Sequence, residues 1–319
     1  MHAISTKGLT LVYLVIPLFF VVILGDHYLF EGVLRAMLPR HPEQLLWYTL
    51  LFNVPHFFAS FFTFADKEYL AVYKKKLLLG IPLIALMAFL FPLVSINLTV
   101  LYLVLYTMYH NVSQQTGIAS LVMKCRGWRV TTWRYANIIL GLYLYALVYP
   151  SPFSHVVHLY ALPVISVLSI ISVMLTFLIA RKSATPEGKY YAWGTSSIAG
   201  IGILAYALGY PFFVSTALRI VHDLTAFIFY IIHDMNRNRV IMHNLIYRFI
   251  LPKTSLFVVG IPALAVLLTY FAQGEGTSMV IQAFFLLAVS HFYIEGFMWK
   301  NGSPHRAALT FQYSPHGIV

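Results

Sequence analysis

Ten predominantly apolar stretches, separated by short polar linkers, occupy most of this chain. A helix needs roughly 20 apolar residues to cross the ~30 Å hydrocarbon core of a bilayer, and each stretch is close to that length. The stretches cover residues 8–25, 44–65, 77–94, 96–123, 133–150, 159–180, 191–210, 213–235, 251–272 and 278–299. The sequence therefore predicts an all-α, polytopic membrane bundle of about ten transmembrane helices, which forms a single transmembrane domain over residues 1–319.

The charge content excludes a water-soluble fold. Charged residues make up 10% of the chain and hydrophobic residues 60%, whereas a soluble domain is about 25% charged. The same hydrophobic excess excludes a disordered chain. Because Cys125 is the only cysteine, a disulfide framework, a cysteine-rich zinc site and an iron–sulfur cluster are excluded as well.

The net charge of +11 would suit a nucleic-acid-binding protein, but the basic residues follow a different pattern. Most of the 21 Lys and Arg residues lie at the termini or in the linkers after the second, fourth, sixth and eighth apolar stretches. Basic residues concentrate in cytoplasmic loops of membrane proteins, so both termini are predicted to be cytoplasmic. The first stretch has no small-residue cleavage site and is interpreted as a retained span. We expect an integral protein of a bacterial inner membrane, with no nucleic-acid partner.

Ionisable residues at membrane depth are the strongest indication of function. Each costs about 2.5–3.5 kcal/mol on insertion scales, so such residues usually face the bundle interior and serve a function. Five histidines and three acids occupy such positions: His56, His110, His222, His233, His291, Asp223, Asp234 and Glu295. Imidazole and carboxylate ligands without thiolate suit non-haem iron, which keeps open positions for dioxygen; manganese or zinc also fits.

Helical spacing limits how these residues share a metal site. His291 and Glu295 are four residues apart, so both can point at one ion. His222 and His233 are eleven residues apart, which is about 16 Å along a straight helix. The predicted ligands of one or two ions are therefore the following: His56, His110, His233 and His291, with Glu295 as a fifth or bridging ligand, and His222 either as a ligand through a helix bend or as a supporting residue.

Several neighbouring polar residues are expected to support the ligands. Asp223 and Asp234 each follow a histidine and can orient its imidazole, and Asp234 and Glu295 are the candidate catalytic acids. Gln114 lies one turn from His110, and Gln115 is adjacent. Two structural interpretations stay open, namely that the glutamines only join helices and that Asp234 pairs with Arg237.

Three of these segments resemble the Brp/Blh family of membrane carotene dioxygenases. The segment from His222 to His233, with its aromatic-rich run, resembles a family signature, and the contexts Pro55-His56 and Tyr109-His110 resemble two earlier ligand helices. The resemblance implies non-haem iron bound by histidines within the membrane. It also implies cleavage of the central double bond of a carotene with dioxygen to give retinal.

The chain departs from that family at one ligand position. Arg237 stands where the family has a histidine four residues after His233, and His291 and Glu295 are the natural substitutes. The motif containing them resembles bacterial membrane proteins without an assigned activity, so the substrate need not be a carotene. We expect an iron-dependent membrane oxygenase that acts on a lipophilic, carotenoid- or lipid-like substrate with dioxygen.

Two other function classes fit the same residues. A transporter or a proton or ion channel would use the intramembrane His, Asp and Glu groups without a stoichiometric metal. A haem protein would use two histidines at matching depth, and His56 and His291 could serve. A membrane desaturase is disfavoured because its histidine boxes do not occur in the predicted spans.

Overall fold

The computed structural model describes residues 1–149, 154–249 and 277–313, which are predominantly helical. The all-α prediction is confirmed, since the only strands in these residues are the short β1 (Ala3–Ser5) and β2 (Thr310–Gln312). The helices are α1 (Thr6–Leu11), α2 (Val15–Leu29), α3 (Val33–Met37), α4 (Leu46–Tyr48), α5 (Val54–Phe62), α6 (Lys67–Val94), α7 (Ile96–Val122), α8 (Trp128–Val148), α9 (Ser154–Leu159), α10 (Ala161–Ala180), α11 (Pro186–Ala207), α12 (Pro211–Arg237), α13 (Ile246–Phe249), α14 (Thr277–Met298) and α15 (Pro304–Ala307).

Four helical segments are long and apolar enough to cross a membrane, which is compatible with a membrane location. They are Thr6–Leu29, which joins α1 and α2 through a 3-10 turn, and the helices α6, α10 and α12. Only 28%, 17% and 22% of the first three are buried inside the protein, against 78% of α12. The first three therefore present apolar side chains outward, as lipid-facing helices do, whereas α12 lies in the interior.

The structure does not support ten membrane spans, because only four segments of the described residues are both long enough and apolar enough to cross a membrane. The predicted span 44–65 is divided into α4, a π-helical turn (Thr49–Asn53) and α5, which has Pro55 in its first turn. Helix α7 is long but carries Asn111, Gln114 and Gln115, which lower its hydropathy. The predicted span 251–272 lies outside the described residues.

A first compact unit contains Met1–Ile4, Leu46–Leu103 and Ala226–Phe311. Its apolar core joins α5, α6, α14 and the C-terminal part of α12, and consists of Ala59, Phe64, Tyr69, Tyr73, Ala226, Tyr230, Ile294, Phe297 and Met298. Helices α6 and α14 meet where Gly80 faces the ring of Tyr293, and any side chain at Gly80 would overlap that ring. This packing fixes the position of α14, the helix that carries His291 and Glu295.

A second compact unit is formed mainly by Ser5–Leu45 and Val104–Thr225. Helices α8, α10 and α11 pack together in it, and buried polar side chains pair between helices. The Trp133 Nε1–H donates to Thr176 Oγ1 at 2.9 Å, for example. Such pairing is expected inside a membrane protein, because no water is available there to satisfy polar groups.

The ends of the described chain lie next to each other. Strands β1 and β2 form a two-stranded sheet, and Asn236, near the end of α12, donates its amide to the carbonyl oxygens of His2 and Ala308 at 2.8 and 2.9 Å. That both termini are cytoplasmic stays a prediction.

Candidate metal centre

His56 and His291 form a contacting pair of buried imidazoles. His56 lies in the first turn of α5, where Pro55 suits the helix start because its missing N–H has no partner there. The two ring centroids are 4.4 Å apart with an interplanar angle of 75°, and both residues are at most 1% exposed. The Phe57 ring lies 5.1 Å from that of His291, so the surroundings are largely apolar.

His110 on α7 and His222 on α12 form a second pair. Their ring centroids are 5.1 Å apart with an interplanar angle of 80°. Both residues are buried. A buried imidazole requires a hydrogen-bond partner or a metal ion, because burying an unsatisfied polar group is costly.

These four buried histidines form a group that could hold a metal ion. Each offers one ring nitrogen, and the four nitrogens lie within 4.8 Å of one another. Four ligands bound to one ion at about 2.1 Å in a tetrahedral arrangement are about 3.4 Å apart, so the most widely separated nitrogens would have to approach by up to about 1.4 Å when an ion binds. The prediction of a histidine metal site is therefore supported for His56, His110, His222 and His291, without an indication of which metal.

Glu295 lies one helical turn after His291 and faces it. The distance between Glu295 Oε2 and His291 Nε2 is 3.9 Å, which is somewhat longer than the roughly 3.0–3.4 Å that separates neighbouring ligands of one ion. The other carboxylate oxygen, Oε1, accepts hydrogen bonds from the Tyr230 hydroxyl at 2.5 Å and from Trp299 Nε1–H at 3.2 Å. These two donors orient the carboxylate toward His291.

Sequence reasoning missed Tyr230 and Trp299 as partners of Glu295. The position of Trp299, four residues after Glu295, is a signal that could have been used, since such residues share a helix face. Tyr230 offered no such signal, because its contact with Glu295 depends on how α12 packs against α14.

His233 has different surroundings from the other predicted ligands. Its Nε2 lies 2.9 Å from the Tyr69 hydroxyl and its Nδ1 lies 2.9 Å from Asp234 Oδ1. The metal-competent group found among the described residues contains His222 instead. Helix α12 continues without a break from Pro211 to Arg237, so the separation along the helix keeps the two histidines apart.

The predicted supporting residues are divided between several roles. Asp234 contacts His233 and accepts a hydrogen bond from the Tyr247 hydroxyl at 2.5 Å. Gln115 is fully buried, and its amide oxygen accepts from the hydroxyls of Tyr13 and Tyr191, which join helices of the second unit. Asp223 is buried and Gln114 is partly buried; their predicted roles stay predictions.

Arg237 binds two acids at the start of α6. Its guanidinium donates to Asp66 Oδ2 at 2.7 Å and to Glu68 Oε2 at 2.6 Å. Burial opposes ionisation of Asp66, but the hydrogen bond and the charge of Arg237 outweigh it and lower the pKa of that carboxyl. Arg237, which stands where the Brp/Blh family has a histidine, is therefore paired with Asp66 and Glu68.

No family model, no curated protein and no solved structure matches the chain. The function has to be inferred from the residues of the chain itself.

Proposed function

We propose that the chain is a membrane-embedded metalloenzyme, an iron-dependent oxygenase that oxidises or cleaves a lipophilic, carotenoid- or lipid-like substrate with dioxygen. The observation that carries the proposal is the buried group of four histidines, with the Glu295 carboxylate facing His291. Nitrogen and carboxylate ligands without sulfur are those of non-haem iron sites that activate dioxygen, and manganese and zinc accept the same atoms.

In this proposal His56, His110, His222 and His291 hold the ion, and Glu295 is a further ligand or a proton acceptor beside it. When bound, the metal supplies the activation of dioxygen. Tyr230 and Trp299 hold one oxygen of Glu295, and its other oxygen faces His291 at 3.9 Å. The rings of Phe57 and Phe227, 5.1 Å from His291 and 6.3 Å from His56, exclude water and suit an apolar substrate.

The resemblance to the Brp/Blh family implies the same reaction class. The segments around His56, His110 and His222, on which the resemblance depends, also supply three of the four grouped histidines. The remaining histidine, His291, belongs to the motif that we expect to substitute for the family's missing ligand. Arg237 is engaged with Asp66 and Glu68, in keeping with its role outside the ligand set.

The haem alternative is less well supported by the geometry. Two axial imidazoles stand on opposite faces of a haem, with the macrocycle between them. The rings of His56 and His291 instead contact each other edge to face, with centroids 4.4 Å apart. The transporter alternative predicts that no stoichiometric metal copurifies with the chain.

Iron-loaded protein in detergent is expected to consume dioxygen in the presence of a carotenoid or of the lipids that copurify with it. The measurement is an oxygen electrode combined with mass spectrometry of the extracted lipids, in which oxygenated or aldehyde products should appear. His291→Ala is expected to lose at least about 100-fold of this activity, because it removes a ligand. His158→Ala is the matched control, since His158 is an exposed histidine on α9 that contacts Tyr206. An iron-loaded wild type that neither consumes dioxygen nor changes any of these lipids would contradict the proposal.

A further inference from the structure

A second buried network lies in the first unit, around the histidine that is left out of the metal group. Tyr69, His233, Asp234 and Tyr247 are each at most 4% exposed. The Tyr69 hydroxyl lies 2.9 Å from His233 Nε2, and Asp234 joins His233 Nδ1 at 2.9 Å to the Tyr247 hydroxyl at 2.5 Å. An ionised carboxylate only accepts hydrogen bonds, so beside an ionised Asp234 the tautomer of His233 with its proton on Nδ1 can accept the Tyr69 proton with Nε2.

This arrangement prepares Tyr69 to lose a proton and an electron together. In this tautomer the phenol donates to Nε2, and the carboxylate of Asp234 would stabilise the imidazolium that forms when the proton moves. The ring of His305 stacks on Tyr69 at 3.8 Å and on His233 at 5.0 Å, which holds both rings in place. An ordinary buried tyrosine donates its hydroxyl to a carbonyl oxygen, whereas Tyr69 donates to an imidazole, which can take up the phenolic proton.

A row of aromatic rings within the first unit joins this network to His56, one of the proposed ligands. Tyr230 lies 6.3 Å from His56, Trp299 lies 5.3 Å from Tyr230, and His233 lies 5.8 Å from Trp299, measured between ring centroids. The Tyr69 ring follows at 5.6 Å from His233. Trp299 and Tyr230 also donate to the same carboxylate oxygen of Glu295. The row therefore begins beside the proposed ligands and ends at Tyr69.

We propose that Tyr69 is a redox-active tyrosine, and that Tyr230 and Trp299 conduct an electron from it to the metal centre. The oxidant is the metal ion in a higher oxidation state, so this part rests on the proposed function. In this step one electron passes from Tyr69 to the metal ion and lowers its oxidation state by one, while the phenolic proton moves to His233 Nε2. The products are a neutral tyrosyl radical and an imidazolium paired with Asp234. The chain can thereby reduce an oxidised centre when no substrate does so.

The redox role of Tyr69 is tested without any metal. Full-length protein in detergent, treated with a chelator, is oxidised by photogenerated tris(bipyridine)ruthenium(III), frozen, and examined by electron paramagnetic resonance. We expect a tyrosyl radical signal in the wild type, its loss in Tyr69→Phe, and its retention in Tyr145→Phe. Tyr145 is a buried tyrosine whose hydroxyl donates to the Ser215 carbonyl at 3.1 Å instead of to an imidazole. In His233→Gln, which keeps the phenol, the signal should decay faster because the proton acceptor is gone.

An equal signal in Tyr69→Phe and in the wild type would overturn the redox role of Tyr69, and so would an unchanged decay in His233→Gln. The thermal unfolding midpoint of each variant shows whether it is folded. If Tyr69→Phe does not fold, the decay of the signal in His233→Gln still decides the test.

The route to the metal is tested separately with iron-loaded protein and hydrogen peroxide as the oxidant. We expect the tyrosyl signal in the wild type and its loss in Trp299→Leu, while photo-oxidation still produces the signal in Trp299→Leu. A peroxide signal that is unchanged in Trp299→Leu would overturn the route. If no iron binds, peroxide produces no signal in any protein and the route fails together with the proposed function. The photo-oxidation result for Tyr69 is independent of that outcome.

Discussion

His222→Ala is expected to lose the bound metal, whereas His233→Ala is expected to keep it. Both histidines are buried on α12, but His222 belongs to the four-histidine group and His233 is engaged by Tyr69 and Asp234. Loss of one directly bound imidazole should weaken binding by at least about 100-fold, since even partners of ligands contribute 10- to 100-fold. The measurement is the metal-to-protein ratio by mass spectrometry after gel filtration at limiting metal.

The two variants control for each other, because each removes one buried imidazole from the same helix. A thermal unfolding midpoint for each shows that the chain is folded. Equal metal loss in both variants would indicate general destabilisation, and loss in His233→Ala alone would return the ligand role to His233 and contradict the site described here.

Acidification is expected to destabilise the protein through His305. Burial, and after it the electrostatic effects of the neighbouring His233 and Arg237 side chains, lowers the pKa of His305 from 6.5 to about 2. The folded chain therefore holds fewer protons on this residue than the unfolded chain between these two pH values. The free energy of unfolding should fall as the pH drops below about 6.5, by up to about 1.4 kcal/mol per pH unit, which is about 2–3 kcal/mol by pH 4.5.

Denaturation of the detergent-solubilised protein across this pH range measures the effect. His305→Gln, which keeps a hydrogen-bonding side chain beside Thr63 and Tyr73 but does not titrate, should show a flatter pH dependence than the wild type. His158→Gln should keep the wild-type dependence, because this side chain is exposed in the folded chain as well. The same slope in His305→Gln as in the wild type would rule out His305 as the cause.

The sequence predicted most of the histidines that the structure brings together. Four residues between His291 and Glu295 are enough to place both on one helix face, and the structure has them 3.9 Å apart. His56 and His110 were predicted because an imidazole at membrane depth is costly without a function. The choice between His222 and His233 was beyond the sequence, because it depends on the rotation of α12 against its neighbours. Spacing along that helix only indicated that both could not bind one ion.

The parts of the site that depend on packing between distant helices were also missed. Tyr69 meets His233, and Tyr230 meets Glu295, through contacts that no local pattern encodes. Among the described residues, fewer segments than predicted are long and apolar enough to cross a membrane. Hydropathy along the chain does not distinguish a helix with an exposed apolar surface such as α6, whose most apolar 18 residues are 17% buried, from an interior helix such as α12, where the share is 78%.

The metal site itself is tested most directly by X-ray absorption at the iron edge of the iron-loaded wild type. The buried His56, His110, His222 and His291 should give a first shell of nitrogen and oxygen ligands with the multiple-scattering pattern of about four imidazoles. The His222→Ala protein, if it retains iron at high concentration, should show one imidazole fewer. A spectrum without imidazole scattering, or a wild type that binds no transition metal after exposure to an excess, would contradict the claim that these histidines form a metal centre.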